Sequence, residues 1–221
     1  MSDKLNELIT MTESRSPISE AYRTLRTNLD FAGLDRALKT LVVTSAGVSE
    51  GKSTTLANLA IVSAQAGRRV ILVDADLRRP SLHKIFGLAN DTGLTTMMMD
   101  EAALASPPLC KTGVEGLSIL PSGPLPPNPA EVVGSRRMEE IIAALAERAD
   151  QVLFDTPPVV AVTDAAVLAT KVDGVILVVS AGHTRRDHAR AAVQRLQQIN
   201  ARLVGAVLTN VQVDTGLKEY Y

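Results

Sequence analysis

Residues 40–54 read TLVVTSAGVSEGKST, and this stretch decides the fold. Residues 40–45 form an apolar, β-branched run that is typical of a buried strand. Small residues and the tripeptide Gly-Lys-Ser follow, and Leu56, Leu59 and Ala60 then recur at helical spacing. A strand, a small-residue loop, Gly-Lys-Ser and a helix, in this order, are the context of a phosphate-binding P-loop.

Eight residues form the predicted loop, and each is expected to help bind a nucleotide: Gly47, Val48, Ser49, Glu50, Gly51, Lys52, Ser53 and Thr54. Small residues let successive backbone N–H groups turn towards phosphates, and the helix N-terminus adds partial positive charge. We expect Lys52, on an exposed loop, to bridge the β- and γ-phosphates of ATP, and the Ser53 hydroxyl to ligate Mg²⁺. Ala46 replaces the first glycine of the usual motif, which is tolerable at negative φ. The alternative is a Gly-Lys-Ser turn that binds no nucleotide.

Other apolar runs predict strands at residues 70–74, 117–120, 152–155, 175–179 and 203–209. Their near-continuous apolar character is typical of a parallel sheet covered on both faces. Helical patterns at residues 17–31, 138–148 and 187–199 each offer one apolar stripe, which in the first helix comprises Ile18, Tyr22, Leu25 and Leu29. Asn128 and Pro129 indicate a further helix start, with Asn128 as the capping side chain. The sequence therefore predicts an α/β fold, a doubly wound, mostly parallel sheet with helices on both faces.

The composition indicates a single domain over residues 1–221. Lys and Arg (23) nearly balance Asp and Glu (24), so no overall positive charge favours binding to nucleic acid. The single cysteine, Cys110, excludes an internal disulfide and a cysteine-rich metal site, and it agrees with a reducing compartment. No apolar run approaches the roughly 20 residues of a membrane-spanning helix, and no signal-peptide core is present, so we expect a cytoplasmic location.

Carboxylates follow two of the predicted strands. Asp74 and Asp76 lie at the end of the run VILVDAD (residues 70–76), and Asp155 ends VLFD (residues 152–155). Because the carboxyl ends of parallel strands bind ligands, we expect these acids to converge on the P-loop. There, Asp74 and Asp155 could hold Mg²⁺ together with Ser53, and a carboxylate could accept a proton from an attacking hydroxyl. The alternative is that either acid merely caps the next helix.

These motifs resemble those of one known family. An apolar strand ending Asp-x-Asp-x-Arg after a P-loop helix, then apolar-Asp-x-Pro-Pro, is similar to the bacterial tyrosine kinases of capsule and exopolysaccharide synthesis. Those kinases resemble partition ATPases in fold, and the likeness extends from residue 19 to residue 210.

The resemblance implies roles for individual residues. Gly51, Lys52 and Ser53 match the family's Walker A motif. Asp74 and Asp76 match its second acidic motif, and Asp155 matches its Walker B motif. One aspartate of the Asp-x-Asp pair would activate the tyrosine, with Asp74 as the first candidate and Asp76 as its rival.

The resemblance also implies roles for residues near the two ends of the chain. Glu20, Arg23 and Arg26 match an oligomerisation motif, Glu-x-x-Arg-x-x-Arg, whose alternative reading is a solvated helix face with an i,i+3 ion pair. Asn210 matches a position that contacts adenine, although it could be an ordinary turn residue. The chain ends in Tyr220 and Tyr221, a shorter tyrosine cluster than is usual in the family, and we expect both to be phosphoacceptors.

The sequence therefore predicts an ATP- and Mg²⁺-dependent protein-tyrosine autokinase that phosphorylates its own tail in trans within a homo-oligomer. The resemblance implies regulation of capsule or exopolysaccharide synthesis and export. It also implies a membrane-anchored activator, a chain-length-determinant protein, that recruits the kinase to the inner face of the plasma membrane. Two alternatives stay open: a partition or septum-type ATPase switch without kinase activity, and a non-catalytic regulator that reads nucleotide state. Gly47 stands where the partition ATPases carry an extra lysine, which argues against the switch.

Overall fold

A computed structural model describes residues 8–212. Its strands are β1 (Thr40–Ser45), β2 (Val70–Asp74), β3 (Cys110–Lys111), β4 (Leu117–Leu120), β5 (Gln151–Asp155), β6 (Gly174–Ser180) and β7 (Leu203–Thr209). They form one sheet in the order β3-β4-β2-β5-β1-β6-β7. Neighbouring strands run parallel except β3 and β4, which pair antiparallel at one edge.

Helices cover both faces of this sheet. One face packs against α1 (Ile9–Thr12), α2 (Pro17–Ala32), α3 (Lys52–Gln65) and α4 (Leu82–Ile85). The opposite face packs against α5 (Leu94–Met99), α6 (Ala102–Ala105), α7 (Pro129–Gly134), α8 (Arg136–Arg148), α9 (Asp164–Ala169) and α10 (Arg186–Gln198). The predicted doubly wound, mostly parallel α/β fold is confirmed.

The sheet register brings the predicted site together. All six residues of β1 are buried between β5 and β6, so the P-loop leaves from the centre of the sheet. Asp155 is in register with Asp74 on one side and with Val43 of β1 on the other. Because these strands are parallel, the P-loop and both acidic motifs lie at the same edge.

The prediction that β7 is a covered strand was wrong. In the described part of the chain β7 pairs only with β6, and much of it is exposed, including 57% of Leu208. A strand with an apolar sequence can therefore lie at a sheet edge, because its place in the strand order depends on the whole topology.

Helix starts differ from the predictions for local reasons. Helix α8 begins two residues earlier than predicted, because the Ser135 hydroxyl caps it by accepting the Met138 N–H (3.2 Å). Pro129 does open α7, but the prediction that Asn128 caps it was wrong, since its side-chain amide instead lies 3.4 Å from a Glu131 carboxylate oxygen. Ile18, predicted to face the core, is 45% exposed in the first turn of α2.

Within residues 8–212, no helix combines the length and the apolar character that crossing a bilayer requires. The predicted single kinase domain over residues 1–221, with an oligomerisation helix at about 17–31 and a tail at about 211–221, stays a prediction. Tyr220 and Tyr221 lie outside the described residues.

Candidate functional site

The P-loop has the backbone geometry of an anion-binding loop. Ser49 (φ 58°) and Gly51 (φ 82°) adopt the left-handed conformation, whereas Ala46 does not have a positive φ, as its side chain requires. Within residues 8–212, no backbone N–H group from Gly47 to Thr54 donates a hydrogen bond to another protein group. These N–H groups, at the start of α3, are available to an anion.

The Glu50 side chain supports the loop from within the protein. Its Oε2 accepts the Ala46 N–H (3.0 Å), and its Oε1 accepts the Thr184 hydroxyl (2.5 Å). Its carbonyl oxygen accepts the Thr209 hydroxyl (2.8 Å). Only the backbone N–H of Glu50 is therefore left for a phosphate.

Lys52 is not the exposed loop residue that the sequence predicted. Its Nζ donates to Asp155 Oδ1 at 2.6 Å and lies 3.7 Å from Asp76 Oδ2, and its side chain is only 10% exposed. The Ser53 hydroxyl is 3.2 Å from the same ammonium. The prediction that Lys52 is exposed was wrong, because the acids that bind its ammonium are distant in sequence and only the fold brings them to it.

Asp74 and Asp155 form a buried pair of acids at the ends of adjacent strands. Asp74 Oδ2 accepts the N–H groups of Ser81 and Leu82 (both 2.9 Å). Burial and the neighbouring Asp155 charge raise the pKa of Asp74 to about 7, against the lowering effect of those N–H groups and of Lys52. Burial also raises the pKa of Asp155, and the Lys52 ammonium opposes this.

Asp76 is held in a loop that a long-range ion pair braces. Its Oδ1 accepts the N–H groups of Arg78 (3.3 Å) and Arg79 (3.0 Å). The Arg78 guanidinium in turn donates to both carboxylate oxygens of Asp164, at 2.7 and 3.1 Å. Asp164 is 1% exposed and lies 86 residues further along the chain. The sequence contains no signal for this contact.

An open cavity of about 350 Å³ lies over the P-loop. Its walls include all eight residues of the predicted loop together with Asp76, Arg79 and Pro158, whereas Asp74 and Asp155 do not line it. Of the three acids, Asp76 is therefore the one that lines this cavity.

The remaining predicted residues do not line this cavity. The Asn210 amide donates to the Ser180 hydroxyl (2.8 Å) at the ends of β7 and β6. Arg23 pairs with Glu20 (2.7 Å), and Arg26 donates to the Val62 carbonyl of α3 (2.9 Å). The i,i+3 ion pair that the alternative of a solvated helix face predicts is therefore present, and Arg26 forms a hydrogen bond within its own subunit.

The residues fit a magnesium ion. Asp74 Oδ1 and Asp155 Oδ2 are buried and have no hydrogen-bond partner among residues 8–212, and the Ser53 hydroxyl lies at the Lys52 ammonium that also binds Asp155. Such oxygen atoms are the ligands that Mg²⁺ prefers, and the ion usually completes its shell with waters and phosphate oxygens. In the described part of the chain, no three His, Cys, Asp or Glu side chains form a metal-binding cluster. A site with few protein ligands, completed by a nucleotide, agrees with both observations.

Comparison with known proteins places this chain in a class. A family model described as "ParA: NUBPL iron-transfer P-loop NTPase" matches residues 37–215. The septum site-determining protein MinD from Pyrococcus horikoshii, at 24% identity, has the same fold, with a TM-score of 0.63 over 77% of this chain and 70% of that one. The chain belongs to the ParA-type P-loop NTPases.

Closer similarity identifies the family within that class. Tyrosine-protein kinase YwqD of Bacillus subtilis is 44% identical over 201 residues, which cover 91% of this chain and 84% of that protein. Putative tyrosine-protein kinase CapB of Staphylococcus aureus is 34% identical over 98% of this chain and 95% of its own length. The crystal structure of the chimerical protein CapA2B2 superposes with a TM-score of 0.88 at 36% identity, over 93% of this chain and 90% of that one. The chain belongs to the bacterial tyrosine kinases, and the prediction of a protein-tyrosine kinase is confirmed.

Proposed function

We propose that this chain uses ATP and Mg²⁺ to phosphorylate Tyr220 and Tyr221 in the tail of a neighbouring copy. One observation carries the proposal: a loop of unbonded N–H groups, the Lys52 ammonium and the Asp76 carboxylate meet at one open cavity. This arrangement supplies donors for phosphates and an acceptor for a proton in the same place.

The protein's own groups would bind and orient the nucleotide. The N–H groups of residues 47–54 would hold its phosphates, and Lys52 would move from Asp155 to the β- and γ-phosphates. Ser53, Asp155 and Asp74 have the oxygen atoms to hold Mg²⁺, directly or through waters, and the ion would supply neutralisation of phosphate charge. Asn210 would lie near the adenine, as the family resemblance implies.

Asp76 is our choice for the group that receives the tyrosine proton, because it lines the cavity and Asp74 does not. As the phenol oxygen forms its bond to the γ-phosphorus, the bond to the β-phosphate oxygen breaks and ADP leaves. A phenol has a pKa of about 10, so a carboxylate is a weak base for it. Positioning of the hydroxyl should therefore contribute more than basicity.

Transfer in trans requires that copies assemble, and the α2 surface is our candidate for the contact. Glu20 and Arg23 are half-buried on α2 and pair with each other, so they could exchange partners between subunits. The family resemblance supports a membrane-anchored activator that recruits the kinase to the plasma membrane and links it to capsule or exopolysaccharide synthesis and export.

Mass spectrometry and mixing of variants test the proposal. Wild-type protein with Mg²⁺-ATP and the activator's cytosolic segment should acquire phosphotyrosine at Tyr220 and Tyr221. The Tyr220→Phe/Tyr221→Phe variant should acquire none in the tail, yet it should phosphorylate the tail of a Lys52→Met variant, which cannot phosphorylate itself. Phosphotyrosine at Tyr22 alone would contradict the tail assignment, because Tyr22 is half-buried against the core.

The ATPase switch is the alternative outcome of this experiment. ATP hydrolysis without phosphotyrosine in the wild type would favour it. Iron transfer, which the family model's description mentions, finds no support in this chain, because its single cysteine, Cys110, cannot supply the thiolate set that an iron–sulfur cluster uses.

A further inference from the structure

We propose that Thr184 is a positioning residue, which holds the P-loop in its phosphate-binding shape through the carboxylate of Glu50. The inference rests on nucleotide binding at the P-loop, which is part of the proposed function, but it does not depend on transfer to tyrosine. Thr184 lies 134 residues from Glu50 in sequence, in the loop between β6 and α10.

The Thr184 hydroxyl links the end of β6 to the P-loop. It accepts the Ser180 N–H (2.8 Å) and donates to Glu50 Oε1 (2.5 Å). The other carboxylate oxygen, Oε2, accepts the N–H of Ala46, the residue at which β1 turns into the loop (3.0 Å). Both oxygens of a side chain that is only 3% exposed are thereby satisfied.

Close packing makes the loop's shape depend on this carboxylate. A Cβ atom built on Gly47 would lie 2.9 Å from Glu50 Oε1, so the carboxylate occupies the space that a side chain at Gly47 would need. The Glu50 carbonyl is fixed independently by the Thr209 hydroxyl of β7 (2.8 Å). The loop is therefore supported from the ends of two strands, and Ser49 keeps its left-handed conformation (φ 58°) between those supports.

Loss of the Thr184 hydroxyl would leave Glu50 Oε1 buried without a donor. An unsatisfied buried carboxylate oxygen is costly, so the side chain would rotate or take up water. Either response would disturb the bond to the Ala46 N–H and the packing of the carboxylate beside Gly47. The N–H groups from Gly47 to Thr54 have no other partner among residues 8–212 to hold their direction.

Isosteric and conservative variants separate this role from packing. Thr184→Val keeps the volume and removes the hydroxyl, whereas Thr184→Ser keeps the hydroxyl. By isothermal titration calorimetry with Mg²⁺-ATP, we expect Thr184→Val to raise Kd by about tenfold, and Thr184→Ser by less than about threefold. Thr170→Val is the matched control, because the Thr170 hydroxyl also donates at 2.8 Å, to the Val167 carbonyl at the exposed end of α9. Thr170→Val should leave the Kd for Mg²⁺-ATP unchanged. If Thr184→Val does not fold, Thr184→Ala takes its place in the comparison.

Two further readouts distinguish positioning from a general loss of structure. Thermal melting without nucleotide should show a single cooperative transition for Thr184→Val, as for Thr170→Val, even if the loss of a buried hydrogen bond lowers its midpoint. In a Glu50→Gln background, Thr184→Val should weaken ATP binding by less than about twofold, because the link is already impaired. Normal ATP affinity in Thr184→Val, equal losses in the Ser and Val variants, or fully additive effects with Glu50→Gln would each overturn the inference.

The outcomes also separate this inference from the proposed function. If wild type binds ATP but forms no phosphotyrosine, the kinase proposal fails while the Thr184 comparison still decides the inference. If wild type forms phosphotyrosine and Thr184→Val binds ATP normally, only the inference fails. If wild type does not bind ATP, both fail.

Discussion

The ion pair between Arg78 and Asp164 gives an asymmetric prediction about stability. The Asp164 carboxylate is 1% exposed and both its oxygens are bonded to Arg78, whereas the Arg78 side chain is 41% exposed. Arg78→Met would leave a buried carboxylate without a partner, which should cost about 3–5 kcal/mol of the free energy of unfolding. Asp164→Asn leaves a cation that water can reach, and it should cost only about 1 kcal/mol.

Urea denaturation at pH 8 measures this asymmetry. In the double variant Arg78→Met/Asp164→Asn the buried charge is gone, so it should be more stable than Arg78→Met alone by at least about 1 kcal/mol. The control is Arg69→Met, which breaks a similar two-bond pair with Asp150, where both side chains are well exposed. The control should lose far less stability than Arg78→Met. Equal losses in Arg78→Met and Arg69→Met would refute the reasoning.

The same variants should also affect phosphotransfer. Asp76 depends on the N–H groups of Arg78 and Arg79, so a loosened loop displaces the carboxylate at the cavity. We expect Asp164→Asn to lower kcat by roughly tenfold while its affinity for ATP stays near that of wild type. An unchanged kcat would show that the ion pair stabilises the fold without positioning Asp76.

Two further predictions concern the buried acids. The pKa of the Asp74 carboxyl is raised to about 7 in the folded protein, so its ionisation destabilises the fold as the pH rises. In EDTA, the free energy of unfolding of wild type should therefore fall by about 2–3 kcal/mol relative to that of Asp74→Asn between pH 5 and pH 8. Urea denaturation at both pH values measures the change, and a stability difference between the two proteins that is the same at pH 5 and pH 8 would contradict the prediction. Asp150→Asn is the control. Because the pKa of the Asp150 carboxyl is lowered to about 2, the stability difference between wild type and this variant should not change between pH 5 and pH 8. Lys52→Met should abolish tight ATP binding in calorimetry and also destabilise the protein, because Asp155 loses its partner at 2.6 Å. A variant as stable as wild type at pH 8 would mean that Asp155 does not depend on this ammonium.

The sequence was sufficient to predict six of the seven described strands, the P-loop and the site edge, because these depend on local patterns, whereas the two-residue β3 has no such pattern. Apolar β-branched runs define β1, β2 and β5, and a parallel arrangement then brings their carboxyl ends together. The edge position of β7 could not be predicted in this way, since strand order is a property of the whole sheet.

Side-chain environments at the site were harder to predict for the same reason. Lys52 looks like an exposed loop residue until Asp155, 103 residues away, is placed beside it. Asp74 and Asp76 belong to the same sequence motif, which does not distinguish their environments. In the structure Asp74 is the last residue of β2, whereas Asp76 lies beyond the strand and lines the cavity. Thr184 and Asp164 lie outside the P-loop and Asp-x-Asp motifs, and only the fold brings them to Glu50 and Arg78.

The charges around Lys52 suggest how nucleotide binding is controlled. One ammonium lies near Asp155 and Asp76, and Asp74 adds a third buried acid on the neighbouring strand. A polyphosphate that approaches this edge meets an excess of negative charge, which the N–H groups of the P-loop compensate only in part. Burial raises the pKa of Asp74 to about 7, which lowers the negative charge that it carries near neutral pH, and a divalent cation that arrives with the nucleotide would lower the excess further. If the proposed function is right, we therefore expect this protein to bind ATP together with a divalent cation more tightly than free ATP.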